Sequence, residues 1–316
     1  MQAQKVLEQQ SFSVDLSEQI VKAASGKRPV KLVVTDVDGT LLSFWDYFVP
    51  AVRTFLQEIS VKLHTPVQDL AEDIGRIIER RGTHEYPWLL EETAFAWSHF
   101  EDKPDEFVQE FVKPFWDALD KSRNRYLRPF PGTIETLTEL RNLGVKIVAL
   151  SDAPDYMARI RNQQVFDGLL DAVYALETVE PAPADIWQPI TLKHGRSRIA
   201  ELKRMSSPKT RFVTLPKDFE KPSPKGLDII LEEFDVFPQE VLFIGDSLAK
   251  DGMLASSRGV RYIWAHYGIH LPAEYDEIVH YSLKPESGKK AEPPRRMPIV
   301  EAIAARYDEL LRHVSV

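Results

Sequence analysis

Lys31 to Leu42, KLVVTDVDGTLL, restricts what this chain can become more than any other stretch. Leu32-Val33-Val34 is a short β-branched apolar run, the pattern of a strand buried on both faces. It ends on Asp36 and Asp38, whose i, i+2 spacing puts both carboxylates on one side of an extended chain. Gly39 then permits a sharp turn. Taken alone, Asp-x-Asp-Gly-Thr is equally compatible with a surface turn and with a metal or phosphate site. Three further motifs downstream, arriving in a consistent order, favour the site.

The pattern around this strand is one of alternation with an insertion. Residues 1–29 read as a polar extension with one weak helical pattern at Leu16, Ile20 and Ala23. From Tyr47 to Asn124 apolar residues recur at spacings of three and four, and no strand-like run interrupts them. Four helices are expected there: one through Phe48, Val52, Phe55 and Ile59, one through Leu70, Ile74 and Ile78, one over Leu89 to Phe100, and one through Phe107, Phe111, Phe115 and Leu119. Pro114 should kink the last. After Pro129 and Pro131 the pattern becomes helix Thr133 to Asn142, strand Val145 to Leu150, helix Tyr156 to Gln164 and strand Ala172 to Leu176. Later come a helix Lys225 to Phe234, a strand Val241 to Ile244, a helix to Arg258 and a last strand Arg261 to Ala265. Alternation of this kind implies right-handed crossovers and an α/β, doubly wound parallel sheet.

Residues 177–220 are expected to be irregular. Pro181, Pro183 and Pro189 open the segment, and Lys193 to Arg211 holds seven Lys or Arg against one acid, Glu201. That basic run is either a solvated helix face or a contact surface for an anionic partner. Residues 284–296 read as a Pro-, Lys- and Arg-rich connector. The tail Ile299 to Val314 is expected to be a helix that docks on the sheet through Ile299, Ile303, Tyr307, Leu310 and Leu311.

Three buried strands end in polar groups that a strand does not need: Asp36 and Asp38, Ser151, and Asp246. Sites in open parallel sheets form at the carboxyl ends of the strands, so these groups should converge from distant parts of the chain. Lys221, in Lys221-Pro222-Ser223-Pro224, enters the same edge, and Asp251 follows Asp246 by five residues. Crowded carboxylates raise one another's pKa unless a cation sits among them. Hard oxygen ligands with room for water suit Mg2+. A carboxylate so placed can attack phosphorus to form an aspartyl-phosphate. A second carboxyl two residues on can protonate the leaving oxygen and later deprotonate water. Lys221 and Ser151 can hold the transferring oxygens as charge spreads over them.

Bulk properties narrow the field further. The net charge of −8 argues against a general binder of nucleic acid or of anionic membrane. The absence of cysteine excludes disulfides, thiolate catalysis and cysteine-held metals. No run approaches the roughly 18 apolar residues of a membrane helix. The N-terminus lacks an apolar signal core, so a cytoplasmic location is expected.

The four motifs together resemble the haloacid dehalogenase-like hydrolases, specifically their phosphatase branch: Asp36-Val37-Asp38-Gly39-Thr40, Ser151 after VKIVAL, Lys221 in KPSP, and Gly245-Asp246-Ser247-Leu248-Ala249-Lys250-Asp251. The resemblance covers roughly residues 30–282. It implies a Rossmann-like core over 30–43 and 129–282 and an all-helical cap over 44–128; the connector and C-terminal helix over 283–316 lie outside it. It further implies Asp36 as nucleophile and Asp38 as general acid/base, with Ser151 and Lys221 on the phosphoryl group. Mg2+ would be held by Asp36, the Asp38 carbonyl and Asp246, with Asp251 supporting the metal or Lys221. An acidic residue at position 38 favours phosphate-ester chemistry over dehalogenation.

The expected activity is Mg2+-dependent hydrolysis of a small phosphorylated metabolite. Phosphoryl transfer of the mutase kind is an alternative, and so is a module that is phosphorylated on Asp36 and only binds. Within the cap, Arg80, Arg81, His84, Glu85 and Trp88 cluster around Gly82, either as a loop that reads the leaving group or as an exposed connection. His266 and His270 are expected to be loop residues.

Overall fold

The computed structural model describes residues 29–182, 189–204, 209–269 and 297–315. The N-terminal pattern at Leu16 to Ala23, the connector 284–296 and His270 lie outside the described residues.

Strand β1 (Leu32–Thr35) is buried along its whole length. The chain then leaves the sheet for a helical block: α1 (Trp45–Leu63), α2 (Val67–Arg81), α3 (Ala94–Phe100), α4 (Pro104–Phe107) and α5 (Lys113–Tyr126). The expected apolar stripes are its core: Phe48, Val52, Phe55, Leu70, Ile74, Phe107, Phe111 and Leu119 are all buried. Phe55 of α1 meets Phe115 of α5 edge-on at 5.1 Å. Pro114 is accommodated by more than a bend. A five-residue π-helical turn, Val108–Val112, precedes it, and Pro114 falls in the first turn of α5, where its missing N–H goes unneeded.

The chain returns beside the point where it left. Leu42 forms an antiparallel bridge with Pro129, and the Phe130 N–H donates to the Leu41 carbonyl at 2.9 Å. The core then continues through α6 (Thr133–Asn142), β2 (Lys146–Pro154), α7 (Asp155–Arg161) and β3 (Ala172–Leu176). Next come α8 (Pro189–Arg204), β4 (Arg211–Leu215), α9 (Lys225–Glu233) and β5 (Val241–Gly245). The remaining elements are α10 (Met253–Ser257), β6 (Arg261–Ala265) and β7 (Ala302–Ala304). The seven strands are parallel, in the order β4-β3-β2-β1-β5-β6-β7. Alternate residues of the central strands feed two cores. Val33, Ile147 and Leu242 pack with the helical block and α6, while Leu32, Val148 and Phe243 pack with α9 and α10. No helix among the described residues is long and apolar enough to cross a membrane.

Two expectations fail. Where it is described, the segment 177–220 is not simply irregular: residues 189–204 form the helix α8, and residues 211–215 form the edge strand β4, which extends the sheet. Arg-Phe-Val-Thr-Leu is hard to see because an edge strand needs no continuous apolar run, and Arg211 and Thr214 remain exposed. The sheet strand that ends at Asp246 is accordingly the fifth, not the fourth. The C-terminal tail is not one helix. It adds β7 to the sheet edge and then makes a 3-10 turn, Tyr307–His313, that buries Tyr307 and Leu310. Ile299 and Ile303, assigned to the buried face by their helical spacing, are instead exposed.

The basic run of α8 and β4 is taken up by neighbours. Arg196 pairs with Glu180 at 2.6 Å, Lys203 with Asp155 at 2.7 Å, and Arg198 and Arg211 pair with Asp120 and Glu233. These four of its seven basic side chains are thus held in ion pairs, of which Arg196–Glu180 lies at the surface. Arg198 also stacks on Trp116, and the Trp88 indole N–H donates to the Leu192 carbonyl at 3.4 Å, so α8 carries part of the helical block.

Candidate active site

The sheet order changes direction at β1, whose neighbours are β2 and β5. In open parallel sheets sites form at such a switch point, outside the carboxyl ends of the strands. Asp36 leaves β1 with its N–H bonded to the Ile244 carbonyl at 2.9 Å, and its side chain is buried. Thr40 Oγ1 donates to Asp36 Oδ2 at 3.3 Å. Gly39 turns the chain with φ of 82°, and the Tyr267 hydroxyl pins the turn by donating to the Thr40 carbonyl at 2.6 Å.

Asp36, Asp246 and Asp251 can each offer an oxygen such that all three atoms lie within 4.8 Å of one another. Burial, compounded by Asp36 and Asp251, drives the Asp246 carboxyl well above the usual range. Burial also raises Asp251 to about 6, against the pull of Lys221. Three carboxylates so close, Asp36 and Asp251 buried and Asp246 partly so, call for positive charge among them. The all-oxygen donor set fits a hard divalent ion such as Mg2+.

Lys221 reaches into this group. Its Nζ lies 2.5 Å from Asp36 Oδ1 and 2.7 Å from Asp251 Oδ1. Burial alone would lower its pKa, but Asp251, Asp36 and Asp152 outweigh burial and raise it well above the ordinary lysine value. The neighbouring lysines go elsewhere, Lys217 to Glu220 at 2.7 Å and Lys225 to Asp218. Ser151 is buried within β2, three residues before its end and two beyond the partner of Thr35, and its Oγ accepts the Ala153 N–H at 3.1 Å. Asp251 Oδ2 accepts the Ser247 N–H at 3.0 Å, which orients it.

Asp38 sits apart from the acidic trio. Its Oδ2 takes a hydrogen bond from Arg161 Nη1 at 2.9 Å, while Oδ1 is buried with no protein partner among the described residues. Burial is the largest influence on Asp38 and raises it to about 7; Arg161 opposes this, and Glu85 and Asp36 add to it. The two carboxyls of one motif thus have different surroundings. Asp36 faces a lysine, and Asp38 is poised between its charged and neutral forms.

Sequence reasoning missed two of these contacts. One is made by Asp152, whose Oδ1 accepts the Lys221 N–H at 3.0 Å and whose Oδ2 accepts from Lys250 Nζ at 2.8 Å. Lys221 and Lys250 outweigh burial and hold Asp152 below the usual carboxylate range. Arg161 gave no signal, because Arg159 and Arg161 look alike in the sequence of α7. Of the cluster around Gly82, only Glu85 connects to Asp38, through Arg161. Arg80 and Arg81 pair with Glu92, and Trp88 is buried against α8. His84 is enclosed by Phe44, Trp45 and Phe48, and burial lowers it to about 4. The loop is therefore a packed junction, not an exposed connection. His266 is exposed beside Trp264.

A family model described as haloacid dehalogenase-like hydrolase matches residues 30–257. A phosphoglycolate phosphatase from Nitrosospira multiformis is 23% identical over 241 residues, which cover 76% of this chain and 85% of the relative. Among solved structures, a HAD phosphatase from Thermococcus onnurineus is 20% identical, covering 90% of this chain and 97% of its own, with a TM-score of 0.48. A 2-haloacid dehalogenase from Pseudomonas syringae is 14% identical with the same coverages and the same TM-score.

Proposed function

The chain belongs to the haloacid dehalogenase-like hydrolases, and on that premise we propose that it is a Mg2+-dependent phosphatase acting on a small phosphorylated metabolite through an aspartyl-phosphate. The observation that carries this reading is the division of labour between Asp36 and Asp38. Asp36 lies against Lys221 within an acidic trio, and Asp38 is held near neutrality two residues away. The phosphatase among the relatives is in keeping with it.

Asp36 attacks phosphorus, so that an Asp36 oxygen–phosphorus bond forms as the bond to the leaving oxygen breaks. Asp38 in its protonated form gives the proton to that oxygen and is left as a carboxylate. It then takes a proton from water, whose oxygen displaces Asp36 from phosphorus and frees phosphate. Lys221 and Ser151 hold the equatorial oxygens, which carry the most charge midway. Asp36, the Asp38 carbonyl and Asp246 would hold Mg2+, with Asp251 behind them; the ion supplies charge neutralisation that lets one anion approach another.

The helical block 44–128 is part of the proposal as a cap over the site, excluding water and reading the leaving group. A cytoplasmic setting is likewise proposed, in keeping with a chain that has no cysteine. The test is phosphate release from a panel of phosphorylated metabolites with Mg2+ or with EDTA, for wild type and Asp36→Asn. Metal-dependent release that Asp36→Asn reduces by on the order of 10^4-fold supports the reading, that being a scale for losing a nucleophile. Full Mg2+-dependent activity in Asp36→Asn overturns it.

A further inference from the structure

Arg161 is a buried cation whose every described polar contact is either Asp38 or a residue of the helical block. Nη1 donates to Asp38 Oδ2 at 2.9 Å. Nε and Nη2 donate to the Tyr47 hydroxyl at 3.1 and 2.8 Å, and Nη2 also pairs with Glu85. The guanidinium lies 5.5 Å from the ring centre of Phe44 and 5.9 Å from that of Tyr47. Tyr47 is itself fixed, because its hydroxyl donates to Glu85 Oε1 at 2.7 Å. Glu85 is fixed too, its carbonyl accepting the Tyr156 hydroxyl at 2.6 Å.

A guanidinium is planar, and its donors leave it in fixed directions. Three of its five N–H donors are taken by Tyr47 and Glu85, which fixes the plane of the group and turns Nη1 toward Asp38. Tyr47 belongs to the first turns of α1, and Glu85 to the loop after α2. The direction of the donor that meets Asp38 is thus set from the helical block, while Arg161 stands on the core helix α7.

We propose that Arg161 is a positioning residue that holds the Asp38 carboxyl in its reacting orientation only while Tyr47 and Glu85 of the helical block are docked against it. This rests on the reading of Asp38 as the acid–base group. The device joins closure of the block to proton transfer: with the block displaced, the guanidinium loses the partners that aim it. Asp38 is then free to turn, and the leaving oxygen goes without its proton.

The test compares two phosphate esters whose leaving groups differ in their need for a proton. An alkyl phosphate needs Asp38 as acid; para-nitrophenyl phosphate leaves as a stable anion and does not. Arg161→Met should lower kcat on the alkyl ester by about 100-fold, the lower end of what acid–base catalysis supplies, with KM changed far less. On the aryl ester the same variant should release a burst of nitrophenolate approaching one equivalent, because Asp36 is still phosphorylated while the water step waits on Asp38. Arg161→Lys should recover part of the rate. Adding Arg161→Met to Asp38→Asn should have little further effect. Should Arg161→Met not fold, Glu85→Gln, which leaves the arginine in place, should show the same split between esters in milder form. An equal loss on both esters without a burst, in a protein whose wild type turns over through Asp36, overturns the positioning role alone. A wild type that releases no phosphate, or that does so without Asp36, overturns the reading of the site and this proposal with it.

Discussion

The Asp246 carboxylate lies over Gly39, in the space that any side chain at position 39 would need. The backbone there has φ of 82°, a region that side chains disfavour. Gly39→Ala should therefore lose on the order of 1–2 kcal/mol of stability from the backbone. It should lose roughly 100-fold in kcat from a displaced Asp246, since an ångström of misplacement has that effect. Thermal unfolding and phosphate release on the same preparation check both.

Divalent cation should stabilise the protein as well as switch it on. Saturating Mg2+ at about 100 times its Kd should add about 2.7 kcal/mol. Asp246→Asn should remove most of that increment, and EDTA should abolish turnover. Asp246 and Asp251 are both raised, so binding the cation must expel protons, and its affinity should rise with pH. Isothermal titration in two buffers of different ionisation enthalpy measures the protons released.

Lys221→Met leaves Asp36 and Asp251 facing each other without a cation. Breaking a buried pair in this way typically costs roughly 3–5 kcal/mol. The loss should be smaller at pH 5 than at pH 8, because Asp251, no longer held down by Lys221, rises above its value of about 6 and takes up a proton. Denaturant melts at pH 5 and pH 8 compare the two. Turnover should fall by about 10^2–10^3-fold, the scale for removing one donor from a developing oxyanion.

Glu91 is buried in the helical block with its Oε1 unpartnered among the described residues, and burial raises it to about 8 from 4.5. Between those two values the folded chain holds a proton that the unfolded chain has released. Stability must then fall as pH rises through that window. Glu91→Gln removes the charge without changing the shape. It should be more stable than wild type at pH 8.5 by about 1–3 kcal/mol, the penalty of an unsatisfied buried polar group. Its advantage should shrink at pH 5. A pH series of unfolding midpoints in EDTA gives the slope for each.

The residues that were legible in the sequence share a physical cause. Asp36, Ser151 and Asp246 each break an apolar run that is buried on both sides, and a buried strand has few reasons to stop on a charge or a hydroxyl. Lys221 and Asp251 were readable only as members of the same set. Arg161 was not, and Glu85 was readable only as one of a cluster with no stated target, because their meaning lies in each other: an arginine in α7 and a glutamate in a loop of the helical block carry no local mark of meeting. Asp152 was hidden by its position, since an acid just ahead of a helix is ordinarily a cap. In the fold, β4 lost its signature to the lysines and arginines around it. β7 is three residues long, too short for a period of two to be told from a turn of helix.

Trp88 occupies the space above Gly195, so that even a methyl group there would meet the indole, while Arg198 reaches Asp120 from the same helix. The helical block and α8 are separated by two strands and two helices, α6 and α7, in the chain, yet one is shaped to the other. They are therefore exchangeable only together. A chimaera that took the helical block from a relative and kept this α8 would inherit a lid with no seat. Where substrate preference has diverged among kin of this chain, changes in the lid should be matched by changes in the crossover beneath it.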